Sequence, residues 1–393
     1  MSSPSRSRLS TRPTNQSAPL VQWLRAREGE MIDLIRDLVL RESPSDNKQA
    51  VDVLGEFLAG RFETLGGLVE MHYSPNFGEH LQADFDGGDK PPVLLLGHFD
   101  TVWDIGTLKT MPFRQEKGRL WGPGVLDMKT GIAQMLFALA ALYGTRGGLP
   151  RPVKVLLVTD EEVSSDSSRA LTERLAKDCA AVFVLEPSFG LQGSLKTARK
   201  GVGDYTVKVT GKASHSGLDF EKGASAILEL SRQLLKIEKF TDVKRGVTVN
   251  AGVISGGTRS NVVPAEASAI VDMRITKSSQ AAALDKKFQT LKPVDRRCKL
   301  SIEGGMNRPP MERTPAIASL FKLAQKLGSE VGLKLKEAAV GGGSDGNFTA
   351  ALGIPTLDGL GAPGEGAHAT NESVLIDQIV PRTALLARLI EEA

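Results

Sequence analysis

Three apolar runs, each ending in side chains that can do chemistry, constrain this chain most. Val93-Leu94-Leu95-Leu96 leads into Gly97-His98-Phe99-Asp100. Val153 to Val158, apolar but for Lys154, leads into Thr159-Asp160-Glu161-Glu162. Ala181 to Leu185 leads into Glu186-Pro187. Short apolar runs without alternation read as strands buried on both faces, as in a parallel sheet. Helical patterns lie between them, at about Thr130 to Tyr143 and Ser167 to Ala176, so the order is that of an α/β fold. In such sheets ligands bind beyond the carboxyl ends of the strands. His98, Glu161, Glu162 and Glu186 all stand there, and residues i and i+2 of a strand share a face, so His98 and Asp100 can look into one cleft.

The remaining pattern divides the chain. Residues 1–18 are rich in Ser, Arg, Pro and Thr and have no apolar h-region, so a disordered leader is expected rather than a secretory signal. Leu20, Trp23, Leu24, Met31, Leu34, Ile35, Leu38 and Val39 recur at helical spacing from Pro19 to Arg41. A second helix is expected over about Asn47 to Leu65, stopped by Gly66-Gly67. Near Lys200 the pattern changes to period two, in Tyr205 to Val209, Val247 to Val253 and parts of Ala265 to Ile275. With helices at about Ala224 to Leu235 and Gln280 to Leu291 and a strand near Lys299 to Glu303, the order is strand, helix, strand, strand, helix, strand. That is the split βαβ pattern of a ferredoxin-like α+β domain. The expected organisation is a mostly parallel sheet with flanking helices, over 19–199 and 312–393, interrupted by an inserted domain over 200–311.

Composition narrows the partners. The chain has 393 residues, 41% hydrophobic and 24% charged, with a net charge of +3. No basic stripe with interleaved aromatics occurs, so nucleic acid is not an expected partner. No apolar run approaches the ~20 residues of a membrane helix, so no membrane partner is expected. The two cysteines, Cys179 and Cys298, lie far apart, which fits a reducing compartment and a cytoplasmic location.

Two of the five histidines, His98 and His368, join Asp100, Asp127, Glu161, Glu162 and Glu186 as candidates for one site. Carboxylates gathered at consecutive strand ends have no structural need to cluster. Histidine nitrogen with carboxylate oxygen suits borderline or hard divalent ions, zinc among them. Two such ions about 3.5–4 Å apart can share one carboxylate and one water, which then acts as hydroxide near neutral pH. A neighbouring Glu can take the proton and pass it to a leaving nitrogen. Glu161 and Glu162 could divide those tasks, one as base and one as ligand. Asp100 would steady the His98 ring by accepting from its other nitrogen.

Four motifs resemble those of the M20 (aminoacylase/carboxypeptidase) metallopeptidases. They are Gly97-His98-Phe99-Asp100-Thr101-Val102, Gly122-Pro123-Gly124-Val125-Leu126-Asp127-Met128-Lys129, Asp160-Glu161-Glu162 and Gly366-Ala367-His368. The resemblance runs from about residue 30 to the end. Thr101-Val102-Trp103, Pro112-Phe113-Arg114 and Gly341-Gly342-Gly343-Ser344-Asp345 are similar to the glutamate carboxypeptidase (carboxypeptidase G2) branch. The resemblance implies a zinc-peptidase type of catalytic domain with two Zn²⁺ per subunit, Co²⁺ or Mn²⁺ being possible substitutes. Asp127 would bridge the ions, with His98 and Glu186 on one and Glu162 and His368 on the other. Glu161 would be the general base and Asp100 the partner of His98. Many carboxypeptidase-type relatives carry Asp where this chain has Glu186, and deacylase-type relatives more often carry Glu.

The resemblance also gives the insert a role, as the lid and the surface of a homodimer. His215, in Gly211-Lys212-Ala213-Ser214-His215-Ser216-Gly217, would reach the site of a second copy and polarise the scissile carbonyl. Asn261 and Arg274 match positions that hold a substrate carboxylate or carbonyl oxygen, and Gly343 would lend a backbone N–H. The expected activity is release of a C-terminal, glutamate-like amino acid from a small peptide or N-acyl amino acid. The alternatives are an N-acyl amino acid deacylase of the acetylornithine or succinyl-diaminopimelate type, and a non-catalytic relative that binds metal or peptide.

Overall fold

A computed structural model describes residues 16–393. The main sheet has six strands, in spatial order Leu68–His72, His80–Phe85, Val153–Val158, Val93–His98, Ala181–Val184 and Thr356–Leu357. The last four are parallel, and the first two form an antiparallel edge. The strand ending in His98 lies between the strands that lead to Glu161 and Glu186, so three sources of functional groups open on one sheet end. Leu94 and Leu96 pack into one apolar cluster, and Val93 and Leu95 into the other, so side chains alternate between two buried faces. This is why the run carries no polar alternation.

Helix Thr130–Arg146 is buried on nearly every side. The segment Val125–Arg146 is apolar and long enough to cross a membrane, yet it packs in the interior of this fold. The helical span expected over Pro19 to Arg41 is two helices, Ala18–Arg25 and Glu28–Val39. Arg27 leaves helical geometry between them, its guanidinium lying 4.0 Å over the Trp23 ring. Asn47 caps helix Lys48–Thr64 by accepting from the Ala50 N–H at 3.1 Å. Of the leader expected over 1–18, residues 1–15 lie outside the described residues. Ser17 is buried and donates to Glu330, and Ala18 opens a helix, so a disordered leader does not extend to residue 18.

Residues 201–308 form a separate four-stranded antiparallel sheet, ordered Thr248–Gly256, Glu266–Ile275, Gly201–Thr210, Lys299–Arg308. Helices Ala226–Ile237 and Ala281–Gln289 complete the ferredoxin-like order. Gly201–Thr210 alternates between buried and more exposed positions, as a sheet with one covered face requires. Its core is its own: Tyr205, Val207, Leu230, Val271 and Phe288 pack together, with Tyr205 and Phe288 stacked at 3.8 Å. Strand Thr248–Gly256 is an open edge of this sheet, and Val253 and Ile254 on it are exposed.

Candidate metal centre

The site is assembled at the carboxyl ends of the central strands. His98 is the last residue of its strand and is buried. Gly97 before it is obligatory, because a Cβ there would stand 2.4 Å from the Met128 side chain. The His98 Nδ1 faces Asp100 Oδ1 at 3.3 Å, and Asp100 Oδ2 accepts from Ser45 Oγ at 2.7 Å and from the Glu162 N–H at 3.2 Å. Asp100 therefore fixes the ring of one candidate and the backbone of another. The His98 Nε2 lies 3.2 Å from Asp127 Oδ1 and 3.4 Å from Glu186 Oε1.

Asp127 faces two ways. Its Oδ1 is on the His98 side, and its Oδ2 is 3.5 Å from His368 Nε2, which also lies 3.1 Å from Glu162 Oε1. The loop that carries Asp127 is held by Glu372, whose buried carboxylate accepts from the N–H groups of Gly124, Leu126 and Asp127 and from Trp103 Nε1. His98, Glu161 and Glu186 have ligand atoms all within 4.8 Å of one another, as do His98, Asp127 and Glu162. All seven candidates drawn from strand ends and late motifs thus meet in one place.

The electrostatics fit a cation there. Burial pushes the Glu161 carboxyl well above its ordinary range, with Arg308 opposing, and burial also raises Glu162. Burial alone would lower His98, but hydrogen bonds to Asp100, Asp127 and Glu186 outweigh it and hold the imidazole well above 6.5. His368 is raised to about 10, first by Asp127 and then by Glu162. Acids resist ionising while imidazoles are driven to the charged form, so the cluster has a surplus of negative charge. A divalent ion supplies what that field favours, and the donor set of imidazole nitrogens and carboxylate oxygens accepts zinc.

The other predicted residues fall elsewhere. His215 is exposed on the short strand Ser214–His215, paired with Val262–Val263, and its Nδ1 accepts from the Gly217 and Leu218 N–H groups, both at 3.1 Å. The Asn261 carbonyl accepts from the Ser216 N–H, so His215 and Asn261 share one hairpin-like unit. Among the described residues neither contacts the acidic cluster of its own chain. Arg274 is half-buried, pairs with Asp272 and donates to the Gly341 carbonyl at 3.1 Å. The Gly343 carbonyl accepts from Arg199 Nη1 at 2.8 Å.

Four further groups escaped the sequence reading. Arg308, at the end of the insert's last strand, donates through Nη2 to the Glu161 carbonyl and carboxylate, to Ser165 Oγ and to Asp345. Arg199 reaches Glu186, and Asp358 lies behind Arg199. Glu372 is the fourth. Only Glu372 had a local signal, being four residues after His368.

A parallel α/β sheet with a histidine–carboxylate cluster at its carboxyl ends, and a ferredoxin-like insert beside it, defines a metallohydrolase. Residues 94–392 match the model of Peptidase family M20/M25/M40, and the chain belongs to that family. It is 31% identical over 370 residues to carboxypeptidase G2 of Pseudomonas sp., covering 92% of this chain and 88% of that protein. It is 30% identical over 389 residues to acetylornithine deacetylase of Proteus mirabilis, covering 92% and 96%. The M20 family metallo-carboxypeptidase Sso-CP2 of Sulfolobus solfataricus superposes with a TM-score of 0.75 at 18% identity, over 92% of this chain and 98% of that one. The protein is a hydrolytic enzyme of this family, and the non-catalytic alternative is set aside.

Proposed function

We propose that the enzyme holds two Zn²⁺ and releases a C-terminal, glutamate-like amino acid from a small peptide or N-acyl amino acid. The observation that carries this reading is Asp127, with one carboxylate oxygen toward His98 and Glu186 and the other toward His368 and Glu162. Bound zinc would supply an acidified water and a polarising charge. His98 and Glu186 would hold one ion, Glu162 and His368 the other, and Asp127 both. Asp100 keeps His98 turned toward the site. Glu161 takes the proton of the attacking water and delivers it to the leaving nitrogen. Its burial suits that task, since a carboxyl raised toward neutral pH is a better-matched base and acid.

The insert completes the site in the proposed homodimer. Since His215 Nδ1 accepts two backbone N–H groups, its proton sits on Nε2, a donor suited to a carbonyl oxygen. The open edge strand Thr248–Gly256 with Val253 and Ile254 is the surface on which a second copy would pair. Asn261, Arg274 and the Gly343 N–H would hold the substrate, an arginine fork matching a free carboxylate. A cytoplasmic setting is part of the proposal, and the free, buried thiols of Cys179 and Cys298 support it.

Two measurements test the reading. Glu161→Gln should lower turnover by about 10²–10⁴-fold while zinc content is kept; undiminished turnover would remove Glu161 from the role of base. A substrate panel of N-acylglutamates, short peptides and N-acetyl amino acids should favour the first two. Preference for N-acetyl amino acids would establish the deacylase reading, which Glu186 and the likeness to acetylornithine deacetylase both favour.

A further inference from the structure

Arg199 is almost fully buried beside Glu186, and no proposed chemical step uses it. A guanidinium has five N–H donors in one rigid plane. In Arg199 each has an acceptor. Nε donates to Asp358 Oδ2 at 2.7 Å and Nη2 to Asp358 Oδ1 at 2.8 Å. Nη2 also donates to Glu186 Oε2 at 3.1 Å. Nη1 donates to the Gly342 carbonyl at 3.2 Å and the Gly343 carbonyl at 2.8 Å. Asp358 is itself buried and accepts from Ser344 Oγ at 2.6 Å, so the anchor of the fork is fixed in turn.

We propose that Arg199 is a positioning residue that locks the Glu186 carboxylate to the Gly341–Gly343 loop, so that Glu186 offers a metal one oxygen only and the loop N–H groups keep a fixed distance from it. The proposal rests on the dinuclear reading, in which Glu186 is a ligand. Glu186 Oε2 is taken by Arg199, with Lys196 Nζ a further 3.7 Å contact on the same oxygen. Oε1 is the oxygen left on the His98 side, 3.4 Å from Nε2. Holding the Gly342 and Gly343 carbonyls from behind leaves the loop's N–H groups as its free face. A stability role alone would not call for this arrangement, because buried ion pairs contribute little beyond what apolar packing of the same volume provides. Lysine keeps the charge but cannot reproduce five directed donors.

The test is a titration of metal-free wild type, Arg199→Lys and Asp358→Asn with Zn²⁺ against a chromogenic chelator, repeated with Co²⁺ read by its visible absorption. Thermal unfolding of each metal-free protein is measured in parallel. Wild type should bind two ions; one ion or none would overturn the dinuclear reading itself. Given two in wild type, Arg199→Lys should weaken one ion by about 10–100-fold, leave the other within about threefold, and alter the Co²⁺ spectrum of the weakened site. At saturating metal its KM should rise more than its kcat falls, since the glycine loop is also released. Asp358→Asn should weaken the same ion to a smaller degree, and it decides the question if Arg199→Lys does not fold. Both ions retained with an unchanged Co²⁺ spectrum in the folded variants would overturn the proposal, as would equal weakening of both ions.

Discussion

The two halves of the molecule bury charge in opposite ways. In the insert, Glu229 is buried but receives the Val294 and Asp295 N–H groups and Gln233 Nε2, and nothing further is asked of it. Its carboxyl is lowered: burial and these donors compete, and the donors prevail. At the end of the main sheet, Glu161 and Glu162 are raised instead, because burial there is not matched by protein donors. The same residue type is satisfied in one half and left in want of positive charge in the other. Saturated burial fixes a fold, and unsaturated burial prepares a site.

That contrast can be broken at four places. Asp127→Asn should reduce turnover to background and abolish binding of at least one Zn²⁺, measured by metal analysis after dialysis; full occupancy would end the idea that this carboxylate is shared. Arg308→Met strips Glu161 and Asp345 of their buried partner, and should cost about 3–5 kcal/mol of stability in urea unfolding. A neutral result there would mean the acid cluster tolerates still more uncompensated charge. Glu229→Gln should cost about 1–3 kcal/mol at pH 7 with turnover unchanged. Because the folded carboxyl lies below its ordinary 4.5, its stabilisation is present above that pH and is lost as pH falls through the folded value. The wild-type unfolding temperature should therefore drop more steeply below pH 4.5 than that of Glu229→Gln. Ile254→Lys, on the open edge, should change monomer stability by less than about 0.5 kcal/mol yet shift sedimentation toward the monomer. A variant that still sediments as a dimer would move the interface elsewhere.

The legible part of the site was the part that local sequence encodes. A strand buried on both faces appears as an apolar run, and the residue that follows it must lie at the sheet's end, so His98, Glu161 and Glu186 were placed by adjacency. The insert was legible because its period-two strands differ from those runs. Arg199, Arg308 and Asp358 were not, because each is a single charged residue whose partner is set by tertiary packing. Arg308 is separated from Glu161 by 147 positions, and no pattern in Met306-Asn307-Arg308-Pro309 hints at it. The break at Arg27 was hidden for another reason: Leu24 and Met31 keep helical spacing on either side of it. His215 and Asn261 were read from motifs, and in a single chain their hairpin stays apart from the acids.

The strand Lys299–Arg308 returns from the insert with its last two residues embedded in the other half: Asn307 Nδ2 holds the Ser164 carbonyl, and Arg308 holds Glu161. Anyone recombining modules between relatives meets a trap here. A chimera spliced at residues 200 and 311 would import a foreign partner for the base along with the foreign lid. A downstream splice before Asn307 keeps the native pair, so crossover points for domain shuffling belong inside the strand, not at the visible border.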